Sequence, residues 1–231
     1  MFARIGSKVA LVVALACLSG CSKESPSETA AGGTSAGGVT SATTQTSAGS
    51  AASATARAPL PQLPDPIITM HTNLGDVLIR LNQKAAPRTV SNFVDYVLTK
   101  HYDGTIIHQI DAGYVLLGGS YTDKLVQKPV RYPIPNESNN GLKNLRGTIS
   151  MARNAGEPNS ATSQFFLNLA DNPKLDRRSD KPDEAGYCVF GEVIQGLDVL
   201  DKIAQVRTAS VSGFDKLPVQ TVLVQSVSVV R

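Results

Sequence analysis

Between Ser22 and Ala58, 30 of 37 residues are Ser, Thr, Ala or Gly, and Val39 is the only large aliphatic side chain. Such a tract has no apolar surface to offset the ordering of its backbone, so it is expected to be a flexible tether. Pro59, Pro61, Pro64 and Pro66 stiffen its far end. Any core must therefore come from the ~165 residues that follow, the size of one ordinary domain. With 42% apolar and 18% charged residues the chain can bury such a core, which excludes a wholly disordered or collagen-like protein. A net charge of +3, six Tyr, six Phe and no Trp argue against a nucleic-acid partner.

Ahead of the tether, Arg4 and Lys8 precede an apolar run from Val9 to Leu18. That run is too short to span a bilayer of ~30 Å, and with its basic flank it reads as a secretory signal. The junction Leu18-Ser19-Gly20-Cys21 resembles the bacterial lipoprotein box. The expected organisation is a signal peptide over 1–20, a lipidated Cys21 opening the tether (21–66), and a folded domain over 67–231. Two or more acyl chains on Cys21 would suffice for stable anchoring. Cleavage removes Cys17 and acylation occupies Cys21, so Cys188 would have no intrachain disulfide partner and is read as a small buried hydrophobe.

Beyond Pro66, two β-rich runs, Ile67–Thr72 and Val77–Leu81, flank Asn73-Leu74-Gly75-Asp76 as in a hairpin. Pro87 suits a first helical turn, and Val90, Phe93, Val94, Val97 and Leu98 recur at helical spacing over Pro87–Lys100. Short strands are expected at Ile106–Ile110, Tyr114–Leu117, Thr148–Ala152, Gln164–Leu169, Cys188–Ile194 and Thr221–Val230, with a second helix at Leu197–Val206. The apolar phase of the last strand switches between Val224 and Val227, which suits a β-bulge. Gly118-Gly119 reads as close backbone packing, and the charged segment Arg177–Glu184 as a solvated surface turn. Many strands, two helices and no βαβ alternation predict a mainly β fold, an antiparallel sheet closed into a barrel or packed as a sandwich.

Neither a Walker-type loop nor a His-Glu-x-x-His occurs, and His71, His101 and His108 are not spaced as metal ligands, so neither metal nor cofactor is expected. Five blocks point elsewhere. In order they are His71-Thr-Asn-Leu-Gly-Asp76, Ile107-His-Gln-Ile110 with Gly113-Tyr114, Gly147-Thr-Ile-Ser-Met-Ala152, Ser163-Gln-Phe-Phe-Leu-Asn168, and Gly186-Tyr-Cys-Val-Phe-Gly-Glu192. Together they resemble the cyclophilin family of peptidyl-prolyl cis–trans isomerases, from about Ile67 to Arg231. The resemblance implies a closed eight-stranded antiparallel barrel capped by two helices, and an isomerase assisting the folding of exported proteins. It implies a catalytic set of His108, Gln109 and Gln164. It also implies a substrate groove of Tyr114, Leu117, Ala152, Phe166, Leu175 and Tyr187. Taken singly, Phe166, Leu175 and Tyr114 read as plain core, His108 as a structural histidine and Gln164 as solvent-facing; only their joint spacing makes them a pocket.

Two departures from the family fall on the chemistry. The family motif is Phe-His-Arg where this chain has Ile107-His108-Gln109, and a Gln precedes the Gly-Gly pair where this chain has Leu117. Replacing a charged five-donor fork by a neutral carboxamide is expected to reduce turnover. The alternative expectation is a non-catalytic proline-peptide-binding or chaperone module, with an interaction scaffold as a further rival. The expected partners are proline-containing unfolded or exported polypeptides, and the membrane through Cys21. With Ser22 rather than Asp after the cysteine, the expected location is periplasm-facing, at the outer rather than the inner membrane.

Overall fold

The computed structural model describes residues 65–211 and 213–230; the expected signal peptide, Cys21 and the tether up to residue 64 lie outside the described residues. Along the chain run β1 (Ile67–Thr72), β2 (Gly75–Leu81), α1 (Pro87–Leu98), β3 (Thr105–Asp111), β4 (Val115–Thr122), β5 (Thr148–Met151) and β6 (Phe165–Asn168). Two short 3₁₀ turns, Pro173–Leu175 and Pro182–Glu184, precede β7 (Val189–Gln195), α2 (Leu197–Ala204), β8 (Thr208–Val211), β9 (Phe214–Pro218) and β10 (Leu223–Val229). Eight strands close a barrel in the order β1-β10-β3-β4-β6-β5-β7-β2, every neighbouring pair antiparallel, so of the two expected architectures the barrel is the one formed. Strands β8 and β9 form a separate hairpin.

The interior is filled by alternate residues of each strand, among them Ile68 and Met70, Val77, Ile79 and Leu81, Ile149 and Met151, and Phe165 and Leu167. Helix α1 adds Phe93, whose ring stacks on Tyr102 at 4.9 Å and meets Phe190 at 5.1 Å and Phe165 at 5.8 Å. No Ser, Thr, Asp or Asn precedes Pro87, and α1 takes its N-terminal cap from elsewhere. The Glu137 carboxylate accepts from the Arg88 and Thr89 amides and from the Thr89 hydroxyl at 2.7–3.1 Å. Helix α2 buries Val199, Leu200 and Ile203.

Elements run shorter or longer than the periodicity predicts for local reasons. Helix α1 stops at Leu98 instead of Lys100, because the Thr99 hydroxyl bonds back to the Asp95 carbonyl and Lys100 turns to φ 58°. Strand β2 begins at Gly75, since Thr72 pairs with it across a two-residue turn. Strand β4 continues from Leu117 through Gly118-Gly119 to Thr122. A Cβ on Gly118 would lie 2.7 Å from Ile107 Cδ1, and one on Gly119 (φ 90°) 2.8 Å from the Phe165 ring. The pair is therefore the close packing expected of it, not a strand end. In β10 the bulge falls where the apolar phase switches: His71 pairs with Ser226 and Thr72 with Val224, leaving Gln225 as the extra residue. The β8–β9 hairpin has no counterpart in the sequence reading, because its strands are largely exposed and show no alternation. Among the described residues no helix is long and apolar enough to cross a membrane.

Candidate active site

The site lies outside the barrel wall. Ile107 and Ile110 both face the core although they are three residues apart, where strict alternation would require two or four. The pairing of Ile107 with Gly118 and of Gln109 with Leu117 accounts for this: β3 carries one extra residue, and His108 and Gln109 both fall on the outer face. On the same outer face β4 presents Val115 and Leu117, β6 presents Phe166, and β5 runs out into Ala152. These residues cannot join the interior, so they form a second apolar cluster with Leu175, against which Tyr114 and Tyr187 pack.

The cluster forms a depression lined by Gln109, Tyr114, Val115, Leu117, Ala152, Phe166, Leu175 and Tyr187. The structure thus brings together seven of the expected site residues. Phe166 and Tyr187 meet edge to face, ring centroids 5.5 Å apart. Val115 was not singled out from sequence; its signal was its place two residues before Leu117 on one strand face.

Two expected members stand outside the lining. His108 is buried beside Gln109 and packs against Tyr121 at 4.9 Å and Phe214 at 6.2 Å, beneath the β8–β9 hairpin. Burial pushes its imidazole down to about 4, so it is neutral near pH 7, and among the described residues its Nδ1 has no hydrogen-bond partner. Gln164 precedes β6 and is half-buried, and its carbonyl accepts from the Ala152 amide at 3.0 Å. Cys188 is buried in the core beside Thr89 (Sγ–Oγ1 3.5 Å), and desolvation raises its thiol to about 11.

Below the depression lies a polar framework that the motifs do not reveal. Asn144, Asn168 and Asn172 are all buried. Asn172 Nδ2 donates to Asn168 Oδ1 at 2.7 Å and to the Tyr114 carbonyl at 3.0 Å, and Asn168 Nδ2 reaches Asn144 Oδ1 at 3.3 Å. The Asn172 amide donates to the Asn144 carbonyl at 2.7 Å. The Asn172–Tyr114 bond ties the turn that delivers Leu175 to the start of β4, and the others link that turn, the end of β6 and Asn144 to one another. The Tyr187 amide then donates to the Leu175 carbonyl at 2.9 Å, closing the segment between them into a loop.

Arg153, next to Ala152, is buried and among the described residues has no carboxylate partner. Its Nε donates to Gly186 O at 2.9 Å, Nη1 to Asn154 O at 3.0 Å and Nη2 to Pro182 O at 3.2 Å, and its guanidinium lies 4.8 Å from the Tyr187 ring centre. Gly186 is required here: it adopts φ 64°, and a Cβ would approach the Arg177 amide nitrogen to 2.3 Å. Between these anchors Arg178, Asp180, Lys181 and Asp183 are exposed, as expected of a solvated turn.

No charged side chain lines the depression. Its polar groups are the Gln109 carboxamide and the Tyr114 and Tyr187 hydroxyls. Among the described residues no cluster of three His, Cys, Asp or Glu is placed to hold a metal ion. The arrangement suits binding a small apolar ring with a few neutral donors at its edge.

A family model described as cyclophilin type peptidyl-prolyl cis-trans isomerase/CLD matches residues 67–229. Peptidyl-prolyl cis-trans isomerase B of Escherichia coli is 44% identical over 163 residues, covering 71% of this chain and 99% of that protein. Peptidyl-prolyl cis-trans isomerase A of Dickeya dadantii is 43% identical over 164 residues, 71% of this chain and 84% of that one. A Cryptosporidium parvum cyclophilin solved in the presence of the dipeptide Ala-Pro superposes with TM-score 0.59 at 22% identity, over 71% of this chain and 99% of that chain. A closed barrel with an apolar recess on its outer wall, a matching family model and relatives of this identity lead to one conclusion: the chain belongs to the cyclophilin-type peptidyl-prolyl cis–trans isomerases, a family of enzymes.

Proposed function

We propose that this protein isomerises X–Pro bonds with reduced turnover, and that its clients are unfolded or exported chains at the cell envelope. Rotation about an X–Pro bond crosses a barrier of ~18–20 kcal/mol, because twisting removes the amide resonance. No nucleophile or acid–base pair is needed; the site must bind the twisted amide more tightly than either planar isomer. In this reading Phe166, Leu175, Val115 and Leu117 seat the proline ring away from water, with Ala152 and Tyr187 bordering the groove. Gln109 is the edge donor toward the substrate amide, and Gln164 supports the wall through its backbone. The observation that carries the reduced rate is the neutral lining: Gln109 is uncharged and Leu117 donates nothing. Hydrogen bonds from a charged donor contribute roughly 1.5–3 kcal/mol against ~1 for neutral ones, so a transition-state donor weakened by that difference slows catalysis roughly 2- to 30-fold.

Exchange NMR on a proline-containing peptide tests this, with the full chain beside its Gln109→Arg variant. The expected result is measurable acceleration by the natural protein and a gain of roughly 2- to 30-fold in the variant. Equal rates in the two would refute the role given to Gln109. The same lack of a charged donor favours a second reading, a proline-peptide binder without turnover. Resonances that shift on titration without accelerated exchange would establish it.

The envelope placement rests on the apolar run Val9–Leu18 before Cys21, and on Ser22, for the outer membrane. Metabolic labelling with a radioactive fatty acid should mark the natural chain and not Cys21→Ser. Recovery only in the inner-membrane fraction would overturn the sorting.

A further inference from the structure

Tyr114 holds a hydroxyl that the fold does not use. Its backbone is fixed on both sides: the amide donates to the Asp111 carbonyl at 2.9 Å, and the carbonyl accepts from the Leu169 amide at 2.9 Å and from Asn172 Nδ2 at 3.0 Å. Its ring packs on the apolar cluster of Val115, Leu117, Phe166 and Leu175. A phenyl ring would supply that packing equally well. Among the described residues the phenol oxygen makes no hydrogen bond, although the side chain is half-buried in the wall of the depression. Burial, reinforced by Tyr187 and Asp111, pushes the phenol up to about 12, so it remains a protonated donor throughout the physiological range. A fixed, partly desolvated O–H in a wall with no charged donor suits an acceptor brought by a ligand, because any peptide that fills the recess must exchange the water held there for an equivalent bond.

We propose that the Tyr114 hydroxyl is a substrate-contacting donor that hydrogen-bonds a backbone carbonyl of the proline segment seated in the depression. This rests on the proline-binding reading above. A backbone carbonyl is the acceptor because every X–Pro segment carries one, whatever its side chains, and a neutral phenol donates to it without needing a counter-charge.

The test uses the full chain as Tyr114→Phe, which keeps the ring and removes only the hydroxyl. The control is Tyr132→Phe, whose side chain is 92% exposed and outside the recess. Titration with a proline-containing peptide gives Kd, and exchange NMR gives the isomerisation rate. The expected result is a loss of about 5- to 10-fold in Kd, in rate or in both for Tyr114→Phe, the scale of one neutral hydrogen bond, with the control unmoved. Values within twofold of the natural protein in both assays would overturn the proposal, as would a natural protein that does not bind the peptide. A natural protein that binds with a Kd sensitive to Tyr114→Phe but leaves exchange unaccelerated would uphold the hydroxyl contact while sinking the isomerase reading.

Discussion

Replacing Arg153 by methionine removes the guanidinium while keeping much of the side-chain volume, so its effect can be worked from three hydrogen bonds and one ring contact. Asn154 and Pro182 are exposed, and their carbonyls regain water when Nη1 and Nη2 are lost. Gly186 O is buried but keeps a second donor, Asn136 Nδ2 at 3.1 Å. The loss therefore reduces to about one charge-assisted hydrogen bond plus the contact with Tyr187 at 4.8 Å. Together these contribute about 2–4 kcal/mol, with the relieved desolvation of the guanidinium pulling toward the lower figure. Urea unfolding of the full chain followed by far-UV circular dichroism should show a lower midpoint at unchanged m. Thermal unfolding should shift down by about 4–10 °C. Peptide affinity should fall as well, because Tyr187 loses its backing at the edge of the recess. A midpoint equivalent to less than about 0.5 kcal/mol from the natural protein would refute the reasoning, since exposed substitutions already scatter that much.

Three further outcomes can be read with the same instruments. Gly119→Ala must accept φ 90° and a Cβ 2.8 Å from both the Phe165 ring and Ser163 O, so a loss of about 2–5 kcal/mol in urea unfolding is expected. Above pH 6.5 His108 is neutral in both states; below it the unfolded chain binds a proton that the folded chain refuses until about pH 4. Stability should therefore fall by about 3 kcal/mol between pH 6.5 and 4, with His101, also lowered by burial, adding in the same direction. His108→Phe should flatten most of that slope, and a slope unchanged in the variant would show that the protons are taken up elsewhere. Glu137→Gln keeps the side-chain volume but removes the charge and replaces one accepting oxygen by an NH2 that cannot accept from Arg88 or Thr89, so unfolding should become easier by about 1–2 kcal/mol, with the charge part of the loss smaller at high salt.

Most of the barrel was legible because each of its strands carries either a run of β-branched residues or a motif, and because burial on one face imposes alternation. The β8–β9 hairpin lacks both and was invisible. Its Phe214 packs on His108, a long-range contact that no local pattern encodes. The site was legible to the extent that its residues follow strand periodicity: Leu117, Phe166 and Ala152 fall on one face of adjacent strands by register alone. The burial of His108 was not, because neighbours at a bulge share a face of the strand without sharing an environment. Arg153 and the three buried asparagines escaped for a different reason. Their partners are backbone carbonyls and each other, and a single chain shows such bonds only after folding.

The added residue in β3 also governs how this protein can change over time. Because the recess sits on the outside of the wall, its residues stand apart from the side chains that fill the interior. Substitutions at the half-buried Gln109 therefore alter the chemistry with little penalty for folding, and a lineage can lose or regain a catalytic donor there while the interior of the barrel is undisturbed. A deletion is another matter. Removing one of the two outward residues between Ile107 and Ile110 would restore strict alternation, and the single outward position left could not both line the recess and sit beneath the β8–β9 hairpin. Point mutation is thus the route open to this site, and length change is closed to it.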